Sequence, residues 1–231
     1  MNKNNTILRA NTNSVTRKLT VLAMLTALAF IVAMVRIPVG LFIFRYEAKD
    51  VIIAIGGFIF GPLAVVAMSV VLSFLEMLLL SDTGPIGFFM NFIATVSFAG
   101  TAAVIYKHKR TLGGAAIALV AGILVNVPIM LLWNYLIVPI FAPNIERSQV
   151  VGRLIPIFLP FNLLKGVLNA ALTMMLYKSV RMALDKSKLL PVESENIGAT
   201  KAKKASIGVM IVSAFLLITC VLVILSWRGV I

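Results

Sequence analysis

Asn162, Lys165 and Asn169 stand at i, i+3 and i+7 in an otherwise apolar stretch, so a helix there carries all three on one face. An amide can donate and accept at once, whereas an ammonium only donates. A lysine in hydrocarbon costs several kcal/mol unless it finds a partner, so Lys165 is expected to face a cavity or the interior of a bundle. Further amides lie in other apolar segments: Asn91, then Asn126 and Asn134, with Trp133 beside the last. Converging on one space, these residues would form an amide-rich pocket with one cationic donor and aromatic walls. Such a lining suits a flat, neutral, carbonyl-rich ring bearing hydroxyls better than a strongly charged ligand. Interhelical hydrogen bonding, at ~0.6–2 kcal/mol each, explains any single asparagine equally well. For Lys165 the alternative is an internal structural partner.

The residues that catalysis would need are missing. The lone histidine, His108, sits between Lys107 and Lys109 in a basic loop, and the lone cysteine, Cys220, sits in an apolar run. Neither supplies a metal site or a disulfide, and Cys220 reads as a small packed hydrophobe. There is no HExxH, GxSxG or paired-cysteine motif, and no GxxxxGK[ST] loop to cradle ATP phosphates. Glu76 is the one acid deep in a candidate span; it either snorkels from the outer end of its helix or lines a polar cavity. Binding remains, without a resident cofactor or metal.

The elements that must position these residues are membrane helices. Hydrophobic residues make up 61% of the 231, and the mean hydropathy is +1.05. The net charge of +13 comes mostly from basic residues that flank apolar segments, which points to positive-inside topology and anionic lipid headgroups, not nucleic acid. A polar arm over 1–18 precedes an apolar run from Leu19 to Val35. Ala27-Leu28-Ala29 resembles a signal-peptidase site, but hydrophobicity continues past it and an uncleaved first helix is expected. Asp50–Ser81 as one straight helix would run to about 48 Å, too long for a ~30 Å hydrocarbon core. Gly61-Pro62 should break or reverse it.

That break makes Asp50–Phe60 a short helix, tilted or partly re-entrant, before Leu63–Leu80. Further spans are expected at Phe88–Tyr106, at Gly113–Ile140 with Pro128 and Pro139 inside it, and at Ile155–Tyr177. The organisation is therefore all-α: a six-helix membrane domain over 19–184, a cytoplasmic linker over 185–206, and an additional transmembrane helix over 207–231. With the N-terminus inside, the clusters Arg17-Lys18, Lys107–Arg110, Lys178–Lys188 and Lys201–Lys204 share one side. Arg36, Arg45, Lys49, Arg147, Arg153 and Arg228 fall on the other. The C-terminus is then extracellular, and the extra helix is expected to be dispensable for ligand binding.

Two passages carry a family resemblance. The corner Gly56-Gly57-Phe58 … Phe60-Gly61-Pro62, followed by Thr83-Gly84-Pro85-Ile86-Gly87 … Asn91-Phe92, resembles the riboflavin-specific substrate-binding (S) component of energy-coupling factor (ECF) transporters, over roughly residues 17 to 184. The resemblance implies a vitamin site enclosed by six helices near the extracellular side. It also implies a cap between the first two helices, here Ile37–Lys49 with Phe44 and Tyr46. The Asn162-x-x-Lys165 spacing matches the family's flavin-contacting asparagine and lysine. The implied partners are a transmembrane coupling (T) subunit and two cytoplasmic ATPases, with the S component toppling in the bilayer to deliver its site inward. Ala23 and Ala27 match the family's Ala-x-x-x-Ala docking contact, while Ala29 and Ala33 offer a competing stripe of the kind that packs inside a bundle. The seventh span departs from the six-helix pattern. Two other readings stay open: cargo that is another vitamin or heterocycle, and a channel or accessory subunit.

Overall fold

The computed structural model describes residues 3–39, 45–80, 83–141, 145–186 and 202–227. Phe44 and most of the expected linker lie outside the described residues. The first helix, α1 (Lys3–Met34), continues the apolar span backwards through the polar arm. A two-residue strand β1 (Ile37–Pro38) then pairs antiparallel with β2 (Arg45–Tyr46) in the expected cap.

The Gly61-Pro62 break occurs as expected. Helix α2 (Lys49–Phe60) stops at Gly61, whose φ of +92° favours glycine, and α3 (Pro62–Leu79) begins with proline at its first position. Gly57 lets the two helices approach: a Cβ there would collide with the Val65 side chain and touch Ala103. The short α2 is not a lipid-facing re-entrant segment. From Lys49 to Phe58 it is buried inside the bundle, packed by α1, α3 and α8.

Helix α4 (Gly84–Thr95) passes through a π turn (Val96–Gly100) into α5 (Thr101–His108). Neither Pro128 nor Pro139 ends α6, which runs unbroken over Leu112–Phe141. Helix α7 (Arg147–Arg153) joins α8 (Leu159–Lys186) through a second π turn, Leu154–Phe158. Pro156 and Pro160 lie in and just after that turn, and each removes a backbone donor from the α-helical ladder. Among the described residues, five helical stretches are long and apolar enough to cross a bilayer: Val15–Met34, Pro62–Leu79, Gly84–His108, Leu112–Ile140 and Arg147–Tyr177. With the buried α2 they make the six-helix arrangement. The additional helix, α9 (Ala202–Trp227), packs along α8.

The core runs from Val21, Leu25 and Ala29 on α1 through α2 to Leu119 and Ile123 on α6. Phe58, Tyr106 and Tyr177 close one end, with the two tyrosine hydroxyls 2.9 Å apart. Large apolar side chains such as Leu63, Leu124 and Ile155 remain exposed outward, as lipid-facing residues must.

Candidate ligand-binding site

A cavity of about 410 Å³ opens at the end of the bundle where the cap, the α3–α4 turn and the C-terminal half of α6 converge. That volume suits a small organic molecule. Six sequence-predicted residues line it: Asn91, Asn126, Asn134, Asn162, Lys165 and Asn169. Tyr46 and Trp133 do not. Tyr46 stands behind Asn169, and Trp133 occupies a neighbouring face of α6 with its indole N–H buried and unpaired. Aromatic walls are present, but Phe98 and Phe161 supply them.

Two of the five lining amides are held by their own helix. Asn162 Nδ2 donates to the Phe158 carbonyl at 2.7 Å and Asn134 Nδ2 to the Met130 carbonyl at 2.6 Å, each one turn back. Asn126 spends its amide N–H groups on Ala94 O (2.9 Å) and Ser97 Oγ (2.8 Å). The π turn makes this possible, because it displaces the local ladder and gives the Ala94 carbonyl side-chain donors, Ser97 Oγ among them. With their nitrogens committed, Asn126, Asn134 and Asn162 have carbonyl oxygens left to accept from a ligand.

Sequence reading missed the central residue. Asp50 is 2% exposed and lines the cavity. Its oxygens accept from Thr95 Oγ1 (2.7 Å) and Asn169 Nδ2 (3.3 Å), and Lys165 Nζ lies 3.6 Å from Oδ2. Tyr46 Oη donates to Asn169 Oδ1 at 2.9 Å and so orients the amide that serves Asp50. Burial, then the Asp50 carboxylate, pushes the Tyr46 phenol above its ordinary value and keeps it a donor.

The structure also corrects the reading of Lys49 as an exterior loop charge: it is 1% exposed. Its ammonium bridges Glu76 (2.5 and 2.6 Å) and Glu47 (3.0 Å). Glu76 therefore neither snorkels nor lines the cavity; it is buried behind it and also accepts from Asn91 Nδ2 at 2.9 Å. Arg36 extends the chain, with Nε 3.2 Å from Glu47 and Nη2 donating to the Leu80 carbonyl at 2.6 Å. Arg36, Glu47, Lys49 and Glu76 alternate in sign and cancel, as Asp50 and Lys165 do. These six charges neutralise one another, and Arg45, which also lines the cavity, adds one positive charge.

On α1, Ala23 and Ala27 are exposed, whereas Ala29 and Ala33 are fully buried in the bundle. The competing stripe is therefore the packing stripe, and Ala23 and Ala27 look outward. No cluster of three or more His, Cys, Asp or Glu able to hold a metal occurs among the described residues.

A near-neutral, acceptor-rich cavity at one end of an all-helical membrane bundle defines a membrane-embedded binding protein for a small polar ligand. The chain belongs to the ECF transporter, substrate-specific component family, whose profile matches residues 17–177. This is a family of transporter binding subunits, not of enzymes. Among curated proteins it is similar to the riboflavin transporter RibU of Staphylococcus aureus (strain TCH60), 29% identical over 170 residues that cover 70% of this chain and 89% of the relative. It is also similar to the riboflavin transporter FmnP of Bacillus subtilis (strain 168), 29% identical over 161 residues covering 65% and 85% respectively. Among solved structures it superposes on one described as "Structure and mechanism of the S component of a bacterial ECF transporter". The TM-score is 0.62 at 28% identity, covering 73% of this chain and 98% of that one.

Proposed function

We propose that this chain is the riboflavin-binding subunit of an ECF-type importer, taking up vitamin B2 with energy from partner ATPases. The observation that carries the reading is that the carbonyl acceptors of Asn126, Asn134 and Asn162 line one cavity with the Lys165 ammonium. An isoalloxazine ring carries carbonyls for a cationic donor and an imide N–H for an amide oxygen, and the ribityl hydroxyls can use either. Phe98 and Phe161 offer apolar surface for the ring, and the proposed contact set also takes in Asn91 and Asn169. Tyr46 would act from behind Asn169, whereas Trp133, on a neighbouring face of α6, stands outside the cavity lining and Phe44 lies outside the described residues. The named relatives point to the same vitamin. Protein purified in mild detergent from riboflavin-fed cells should carry a yellow, flavin-absorbing ligand that extraction identifies as riboflavin. A colourless preparation carrying another heterocycle would contradict the proposal.

The chain has no P-loop, so ATP hydrolysis falls to two cytoplasmic subunits that act through a transmembrane coupling component. The cavity lies at the end of the bundle away from the basic Lys107–Arg110 turn. With that turn cytoplasmic, the N-terminus is inside, the site opens outward and the C-terminus emerges outside.

Docking of the coupling component is assigned to the outward face of α1. Small residues four apart allow close helix approach in lipid, and Ala23 and Ala27 are free to provide it. Ala23→Trp or Ala27→Trp should reduce recovery of the full complex at least several-fold and abolish uptake, leaving riboflavin binding by the isolated subunit unchanged. Wild-type complex recovery in both variants would refute this face.

A further inference from the structure

The helix beyond the family match packs on residues that stand behind the site. Ser213, Leu217, Cys220 and Ile224 fall at i, i+4, i+7 and i+11, a single stripe of α9, and all four are buried or half-buried. Phe215, Ile218 and Leu222 on the other faces are exposed. The stripe does not pack on α8 alone. Cys220 belongs to one buried cluster with Leu168 of α8, Val39 at the end of β1 and Tyr46 of β2, flanked by Leu164, Leu217 and Ile224.

Tyr46 is thus held from two sides. Its ring packs in the cluster that α9 completes, and its hydroxyl donates to Asn169 Oδ1, whose amide in turn serves Asp50 in the cavity wall. A phenol buried between a helix and an amide has few alternative rotamers, so the packing on one side fixes the hydrogen bond on the other. Removing side chains from α9 leaves the cavity lining intact and frees the ring to rotate away from Asn169.

We propose that α9 is a positioning helix for the binding cavity: through Leu217, Cys220 and Ile224 it holds Tyr46 where its hydroxyl orients Asn169 and, through it, Asp50. The expectation that the seventh helix is dispensable for binding is replaced by one in which it slows ligand release. The release arm of the test rests on the riboflavin reading above; the contact arm does not.

In the full-length protein, Leu217→Ala with Ile224→Ala should speed riboflavin dissociation roughly three- to tenfold, the scale of one neutral hydrogen bond. Tyr46→Phe should do the same. Combining all three should add nothing further, because both changes remove one interaction. Leu217→Met with Ile224→Leu should restore the slow rate, and Leu222→Ala on the exposed face should not alter it. Release at the wild-type rate in the double alanine variant, or effects that multiply on combination with Tyr46→Phe, would overturn the proposal. Should no variant, nor the parent, bind riboflavin, the riboflavin reading fails and the contact arm decides. Cys220 is the chain's single cysteine, so Tyr46→Cys creates one defined pair. A short bismaleimide should then keep the C-terminal fragment attached to the bundle after proteolysis within 187–201. Free release of that fragment would overturn the positioning role of α9 without reference to any ligand.

Discussion

Lys49→Met is expected to be the most destabilising single substitution outside the apolar core. It removes one cation from between two carboxylates, Glu47 and Glu76, and leaves Glu76 with a buried, uncompensated charge. Breaking a buried pair in this way costs ~3–5 kcal/mol, far more than a surface ion pair contributes. Asn91 still donates to Glu76 and Arg36 still neutralises Glu47, so the loss should fall mainly on the Lys49–Glu76 contact. Adding Glu76→Leu removes the stranded carboxylate, and the double variant should recover most of the stability. Thermal unfolding of the detergent-solubilised protein reads this directly: a large drop in Tm for Lys49→Met, and near-parental behaviour for the pair. An unchanged Tm in the single variant would show that the network contributes nothing to the folded state.

The largest effect on binding is expected at Lys165. A hydrogen bond to a charged group contributes ~1.5–3 kcal/mol, so Lys165→Ala should weaken riboflavin binding roughly ten- to a hundred-fold. Lys165→Met keeps much of the apolar stem and should lose nearly as much affinity, which assigns the loss to the ammonium and not to packing. Lys165 is also the counter-charge of the neighbouring Asp50 carboxylate, 3.6 Å away. Asp50→Asn combined with Lys165→Met separates the two roles. If the lysine only neutralises Asp50, the double variant regains affinity; if it bonds the ligand, affinity stays low. Recovery to the parental value would make Lys165 structural and move the ligand's polar contacts elsewhere.

The sequence made some of this site legible because helical periodicity is a local property. Asn162, Lys165 and Asn169 share a face by their spacing alone, and the structure places all three on the cavity. Gly61-Pro62 predicted a corner for an equally local reason, since one residue supplies the positive φ and the next starts a helix. Lys49 was misread and Asp50 passed over for the opposite reason. At the boundary between a polar loop and an apolar run they look like flanking charges, and only packing from α3, α4 and α8 shows them to be interior. The partners that reveal this, Glu76, Thr95 and Asn169, lie 27, 45 and 119 residues away. A weak signal existed: Glu76, an acid inside a span, had to find a cation somewhere. The π turn at Val96–Gly100, which lets Asn126 reach Ala94, leaves no trace in composition. Of the two alanine stripes on α1, spacing could not choose, and burial did.

We propose that one small neutral molecule, riboflavin, occupies the cavity that α6 and α8 line. Titration of the purified, ligand-free protein into riboflavin, followed by the quenching of flavin fluorescence, tests it most directly. Quenching should saturate at one flavin per chain, and Lys165→Met should displace the curve at least tenfold to weaker binding. A folded protein that leaves flavin fluorescence unquenched at every concentration would contradict it.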